Sequence, residues 1–148
     1  MVTTHSVRVG VLCMAVAVLV GCGSSGGGSG DKVTLSNMNA FVSGDAALQN
    51  LCLLDGFAQA YTYIATYSGN LQVGDRAFET LTFLPSGVSN VSDYTLGAAA
   101  PGSGIGPNEV GSTGCFTGGG FDTQIRIAFY VVTSSGERSN TVSDTFNI

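Results

Sequence analysis

Ten residues near the C-terminus leave this chain little choice of fold. Gln124 to Thr133 (QIRIAFYVVT) sends Ile125, Ile127, Phe129 and Val131 to one side and Arg126, Ala128, Tyr130 and Val132 to the other. A period of two in β-branched and aromatic residues predicts a strand with one buried and one outer face. Ser134-Ser135-Gly136-Glu137 then turns the chain into Asn140 to Ile148 (NTVSDTFNI). That pair predicts a β-hairpin closing the domain, whose last strand offers an edge for strand addition.

The same pattern recurs upstream. Ala60 to Tyr67 (AYTYIATY) puts Tyr61, Tyr63, Ala65 and Tyr67 on one face, and Ser68-Gly69-Asn70 ends it. Phe78 to Leu84 is a further strand, stopped by Pro85-Ser86-Gly87. Weaker candidates are Lys32 to Leu35 with Ala40 to Val42, Leu48 to Leu54, and Val91 to Leu96. Residues 45–58 admit two readings. Asp45 suits a helix N-cap, and Leu48, Leu51, Cys52 and Phe57 fall near a 3.6-residue period. Gly56 and the short length favour strand, or strand plus turn. Ala98 to Gly120 reads as a long Gly-rich loop, which calls for a staple. Seven or so short strands over residues 31–148 predict an all-β, two-sheet sandwich. No repeat of solenoid or propeller period is visible.

The first thirty residues read as an address and a tether. Met1 to Arg8 carries one Arg and no acid, and Val9 to Val20 is an apolar run of twelve residues. As a helix that run would span about 18 Å, short of a hydrocarbon core of about 30 Å, so it fits a secretory leader rather than a membrane span. Leu19-Val20-Gly21-Cys22 follows directly. This tetrad resembles the lipobox of bacterial lipoproteins. The resemblance implies cleavage after Gly21, so that residues 1–21 are a signal peptide, and a lipid on Cys22. It also implies anchorage to a membrane of the bacterial cell envelope, with the domain outside the cytoplasm. Residues 22–30 are then the lipidated Cys and a flexible Gly/Ser linker, Gly23 to Gly30 having an r.m.s. reach of roughly 16 Å.

Four cysteines divide accordingly. Cys13 leaves with the leader and Cys22 takes the lipid. Cys52 and Cys115 remain in an oxidising compartment, where they form either a disulfide, the reading preferred here, or two buried thiols. The C-terminal hairpin, Phe129 to Thr133 through Ser135 to Asn140 and on to Val142, resembles the last two strands of immunoglobulin-like or fibronectin type III-like modules of bacterial surfaces. That resemblance implies an immunoglobulin-like sandwich.

Chemistry is scarce. The one histidine, His5, lies in the leader, so the domain lacks Ser/His/Asp and Cys/His machinery and the ligand spacing of a zinc site. Lys32 stands beside the linker, a poor place for Ser–Lys chemistry. The ten acids are spread along the chain, mostly in turn contexts; paired carboxylates of a small envelope hydrolase are the weaker reading. Asp55, Asp75 or Asp122 would have to converge to hold calcium. Gly104, Gly106 and Gly118 to Gly120 have no phosphate-loop context. Net charge is −5, and Lys32, Arg76, Arg126 and Arg138 are scattered in sequence, which argues against nucleic acid. Tyr61, Tyr63 and Tyr67 form core or, alternatively, a platform for sugar rings. The expectation is a non-catalytic binding or structural domain without cofactor or metal, held to the membrane through Cys22. Its partner is an envelope protein or glycan.

Overall fold

The computed structural model describes residues 32–98, 105–118 and 120–148. The leader, Cys22 and the linker lie outside the described residues. Seven strands and one helix follow in order: β1 (Thr34–Val42), α1 (Ala46–Leu54), β2 (Gln59–Ser68), β3 (Arg76–Leu84), β4 (Ser89–Thr95), β5 (Glu109–Phe116), β6 (Gln124–Val132) and β7 (Val142–Asn147). They make two antiparallel sheets, β1-β2-β5 and β4-β3-β6-β7, packed face to face as a β-sandwich.

Alternation decides which side chains lie between the sheets. The β2 tyrosines, Leu81 and Phe83 of β3, and Ile125, Ile127, Phe129 and Val131 of β6 are all buried there. Tyr63 packs on Phe129 with ring centroids 5.1 Å apart, and Phe116 stands between Tyr61, Phe83 and Phe146. The chain comes in at the end holding the β2–β3 turn and the β6–β7 hairpin. α1, the 85–88 turn and Ile148 lie at the other end.

Three expectations need correction, and a fourth stands. Residues 46–54 are helical, not strand or strand plus turn. The Asp45 carboxylate accepts from Ala47 N at 2.8 Å and Leu48 N at 3.1 Å, satisfying two of the free first-turn donors. Gly56, at φ 84°, is the stop signal of that helix rather than an argument against it. Gly56 N donates to Leu53 O and Phe57 N to Cys52 O, the paired bonds of a Schellman ending. Secondly, 98–120 is not loop throughout, because 109–116 form β5, paired along its length with β2. Thirdly, Lys32 to Leu35 and Ala40 to Val42 belong around a single strand, β1, whose register shifts between Ser36 and Asn39 where Asn37 takes φ 49°. Finally, β7 is the edge strand that the sequence predicts, last in β4-β3-β6-β7, and it runs beside β1 of the other sheet. Its Asp144 accepts from Ala40 N at 2.9 Å, and just ahead of it Asn140 accepts from Leu35 N at 2.7 Å and donates to Leu35 O at 2.9 Å. These side chains lace β7 to β1 and occupy main-chain groups of β1 that would otherwise template another strand.

Cys52 and Cys115 are joined by a disulfide, which ties α1 to β5. Both are fully buried, with Leu48, Ala60 and Phe57 packed around them.

Candidate binding face

The site residues named from sequence divide sharply. Tyr61 and Tyr63 are completely buried and Tyr67 is 7% exposed, so none of the three can stack on a sugar ring. Their alternation is the signal of a core strand. Asp75 lies at the end where the chain comes in, with its carboxylate oxygens accepting from Gln72 N and Ser134 N. Asp55 caps α1 at the opposite end, and Asp122 there accepts from Ser86. The three therefore do not converge on a cation, and among the described residues no three His, Cys, Asp or Glu side chains form a metal-holding group.

One acid breaks the turn-and-solvation reading. Glu79 occupies an inward position on β3 and is 1% exposed. Tyr61 donates its hydroxyl to Glu79 Oε1, while the Tyr63 and Tyr94 hydroxyls bond each other at 2.5 Å alongside. Burial lifts the carboxyl above the usual glutamate range, opposed by the hydroxyls of Tyr61 and Tyr63. Burial also raises Tyr63, with Tyr94 and Glu79 adding to the effect, so Tyr63 stays a neutral hydroxyl. A carboxyl walled off in this way has no route to a substrate. Its effect is on stability.

A carboxyl with a folded-state pKa above its unfolded value binds its proton more tightly in the folded domain. The folded state is favoured while pH is below the unfolded value, and that advantage fades as pH rises through the folded one. Glu79→Gln keeps the shape and an acceptor for Tyr61 but does not titrate. It should flatten this part of the stability–pH curve and equal or exceed the wild type above it. Urea unfolding from about pH 4 to about pH 8 measures this. An unchanged slope in Glu79→Gln would assign the dependence to other groups.

The surface that gathers chemistry is the outer face of the four-stranded sheet. Phe78 of β3 and Tyr130 of β6 are direct cross-strand partners, half-buried, with rings stacked 4.9 Å apart at an interplanar angle of 6°. The Arg76 guanidinium lies over Phe78, 5.1 Å from its centroid, and that of Arg138 lies over Tyr130 at 3.8 Å. Arg76 also pairs with Asp93, opposite Phe78 on β4. The outcome is a layered row of guanidinium, ring, ring and guanidinium, with Arg126 exposed two positions along the same face of β6 from Ala128. Arg and aromatic side chains are the types enriched where proteins bind each other. Sequence reading put Arg126 and Tyr130 on one face but missed the cluster. Its other members come from β3, β4 and the hairpin, and only the register brings them together.

Two clefts are present elsewhere. One of about 260 Å³ lies at the end carrying α1, between Gln59, Phe116, Asp122 and Ile148. The other, about 230 Å³, lies by Asp75 and Glu137 at the opposite end. Neither reaches Glu79. Among the described residues no helix is long and apolar enough to cross a membrane. No family model, curated protein or solved structure matches the chain.

Proposed function

We propose that this chain is a lipid-anchored protein of the bacterial cell envelope whose sandwich domain binds a protein partner without catalysis. The arginine–aromatic face carries the binding half of this reading. It is built around the two central strands of its sheet, and two of its three cationic groups, Arg76 and Arg138, are held by ring contacts. The strand order supports an immunoglobulin-like or fibronectin type III-like sandwich. The first, second and fifth strands share one sheet, and the fourth joins the third, sixth and seventh in the other.

The anchoring half rests on sequence: the apolar run Val9 to Val20, then Leu19-Val20-Gly21-Cys22, then a Gly/Ser linker. One acyl chain holds a protein to a bilayer weakly and two or three hold it firmly, each buried methylene contributing about 0.8 kcal/mol. Expressed in a bacterial host fed labelled fatty acid, the chain should carry label on the Cys22 peptide and stay with membranes in high salt. Cys22→Ala should lose both properties. A wild-type chain that takes up no label and washes off with salt would refute the anchor.

A further inference from the structure

We propose that the outer face of β4-β3-β6-β7 docks an acidic polypeptide segment, whose carboxylates are read by the guanidinium groups of Arg76, Arg126 and Arg138. The inference deepens the binding-module reading above and rests on it.

Charge is the first argument. The chain carries a net −5, yet three of the four cationic side chains among the described residues stand on this one face. The strand register leaves Asp93 as the only acid at the outward positions of the four strands. The other acids among the described residues point inward, cap turns or lie at the sandwich ends. A positive face on a negative molecule selects for a negative partner and disfavours most others.

Geometry is the second argument. The Arg126 side chain has no hydrogen bond, ion pair or ring contact among the described residues, so its five donors are free for an incoming carboxylate. Arg76 and Arg138 lie over rings, which restrains the guanidinium groups and reduces the freedom lost when a partner binds. Arg138 meets no carboxylate; its one bond is a 3.4 Å contact to Thr141 Oγ1. Planar forks of this kind match carboxylates two bonds at a time.

The same geometry selects among anions. Phe78 and Tyr130 stack on each other, and each ring also has a guanidinium over it. A sugar stacking on either ring would compete with these contacts, which disfavours a glycan. Binding to anionic lipid generally takes a denser run of about four to eight basic residues or an apolar side chain that inserts. Here there are three arginines, and the strongly exposed apolar side chain on the face is the short Val91. Carboxylates on a polypeptide are the chemistry that remains.

The test uses the full chain in detergent micelles and a fluorescein-labelled oligoglutamate peptide, read by anisotropy. Binding should weaken by about tenfold between about 50 and about 200 mM salt. Arg126→Gln should weaken it by about fivefold, and the triple change Arg76→Gln, Arg126→Gln, Arg138→Gln should abolish it. Lys32→Gln makes the same change in net charge away from the face and should leave binding unaltered. Circular dichroism checks that each variant is folded; Arg126 is exposed and unpartnered, so Arg126→Gln keeps the test valid even if the triple variant does not fold. The proposal fails if the peptide does not bind, if Lys32→Gln weakens binding as much as Arg126→Gln, or if polygalacturonate or phosphatidylglycerol vesicles bind better than the peptide. A photo-crosslinking residue at Thr80, on the same face, separates this failure from that of the wider reading. Crosslinks in intact cells without peptide binding would leave a binding module for another ligand. Neither crosslinks nor peptide binding would end both.

Discussion

Gly111→Ala will destabilise the domain by about 3 kcal/mol or prevent its folding, because the added methyl group meets main chain that cannot step aside. A Cβ at Gly111 would lie 2.2 Å from the Tyr63 carbonyl oxygen and 3.0 Å from Ile64 Cα. Both atoms belong to β2, which pairs with β5 through Ile64 opposite Gly111. Relief would require prising β5 from β2, the strand that carries Tyr61, Tyr63 and Tyr67 into the core. Removing a glycine ordinarily stabilises by about 0.4–1 kcal/mol through the unfolded chain, so the sign here is reversed by contact alone. Gly44→Ala supplies the comparison. Its Cβ meets nothing within 4 Å, and stability should stay level or rise slightly. Urea midpoints of the two variants decide the matter. A Gly111→Ala midpoint close to the wild type would mean that β2 and β5 do not pair in this register.

These glycines also explain what the sequence concealed. Strands with one wet face announce themselves by alternation, and Gln124 to Thr133 yields both the β6 core set and the outward row. β5 does not, because Gly111 and Gly114 stand where side chains would have marked its two faces. Gly114 lies directly opposite Tyr61, whose ring covers it; a Cβ there would be 2.4 Å from the Tyr61 hydroxyl. The aromatic residue on β2 fills the space that glycine leaves on β5. A pattern shared between two strands nearly fifty residues apart in sequence cannot be read from either one. The helix was hidden for a different reason. Its turn-and-cap residues, Asp45 and Gly56, were visible, but nine residues are too few for a clear period, and Gly56 was weighed as a breaker instead of a terminus. Glu79 fits the alternation of β3, but alternation alone does not say that a carboxyl is inside. Its partners Tyr61, Tyr63 and Tyr94 come from β2 and β4. The binding face was half legible. Arg126 and Tyr130 share a strand face in the sequence, whereas Phe78, Arg76 and Arg138 join them only through cross-strand register and the hairpin turn.

Removing the Cys52–Cys115 bond is the second large effect, and it acts from the opposite side of the folding equilibrium. The bridge joins residues 63 apart in sequence. Closing a loop of that length restricts the unfolded chain by about 4 kcal/mol in the chain-entropy account. Net stabilities of single domains run from about 5 to about 15 kcal/mol, so loss of the bridge takes away a large share. Cys52→Ala, Cys115→Ala should therefore lower the melting temperature by roughly 10–20 °C. The two cysteines are buried among Leu48, Ala60 and Phe57, so truncation adds a smaller packing loss at the α1–β5 junction. The urea m-value separates the contributions. An unfolded chain freed of its cross-link exposes more surface, which steepens m, whereas a packing defect leaves m unchanged. The expected result is a lower midpoint together with a steeper slope, reproduced in the wild type by unfolding under reductant. A double variant as stable as the wild type would show that the bond contributes nothing to the fold. The predicted result also bears on where the chain can fold. A domain drawing so much of its stability from an oxidised pair is strong outside the cytosol and weak within it, which agrees with the export proposed above from the sequence before Cys22.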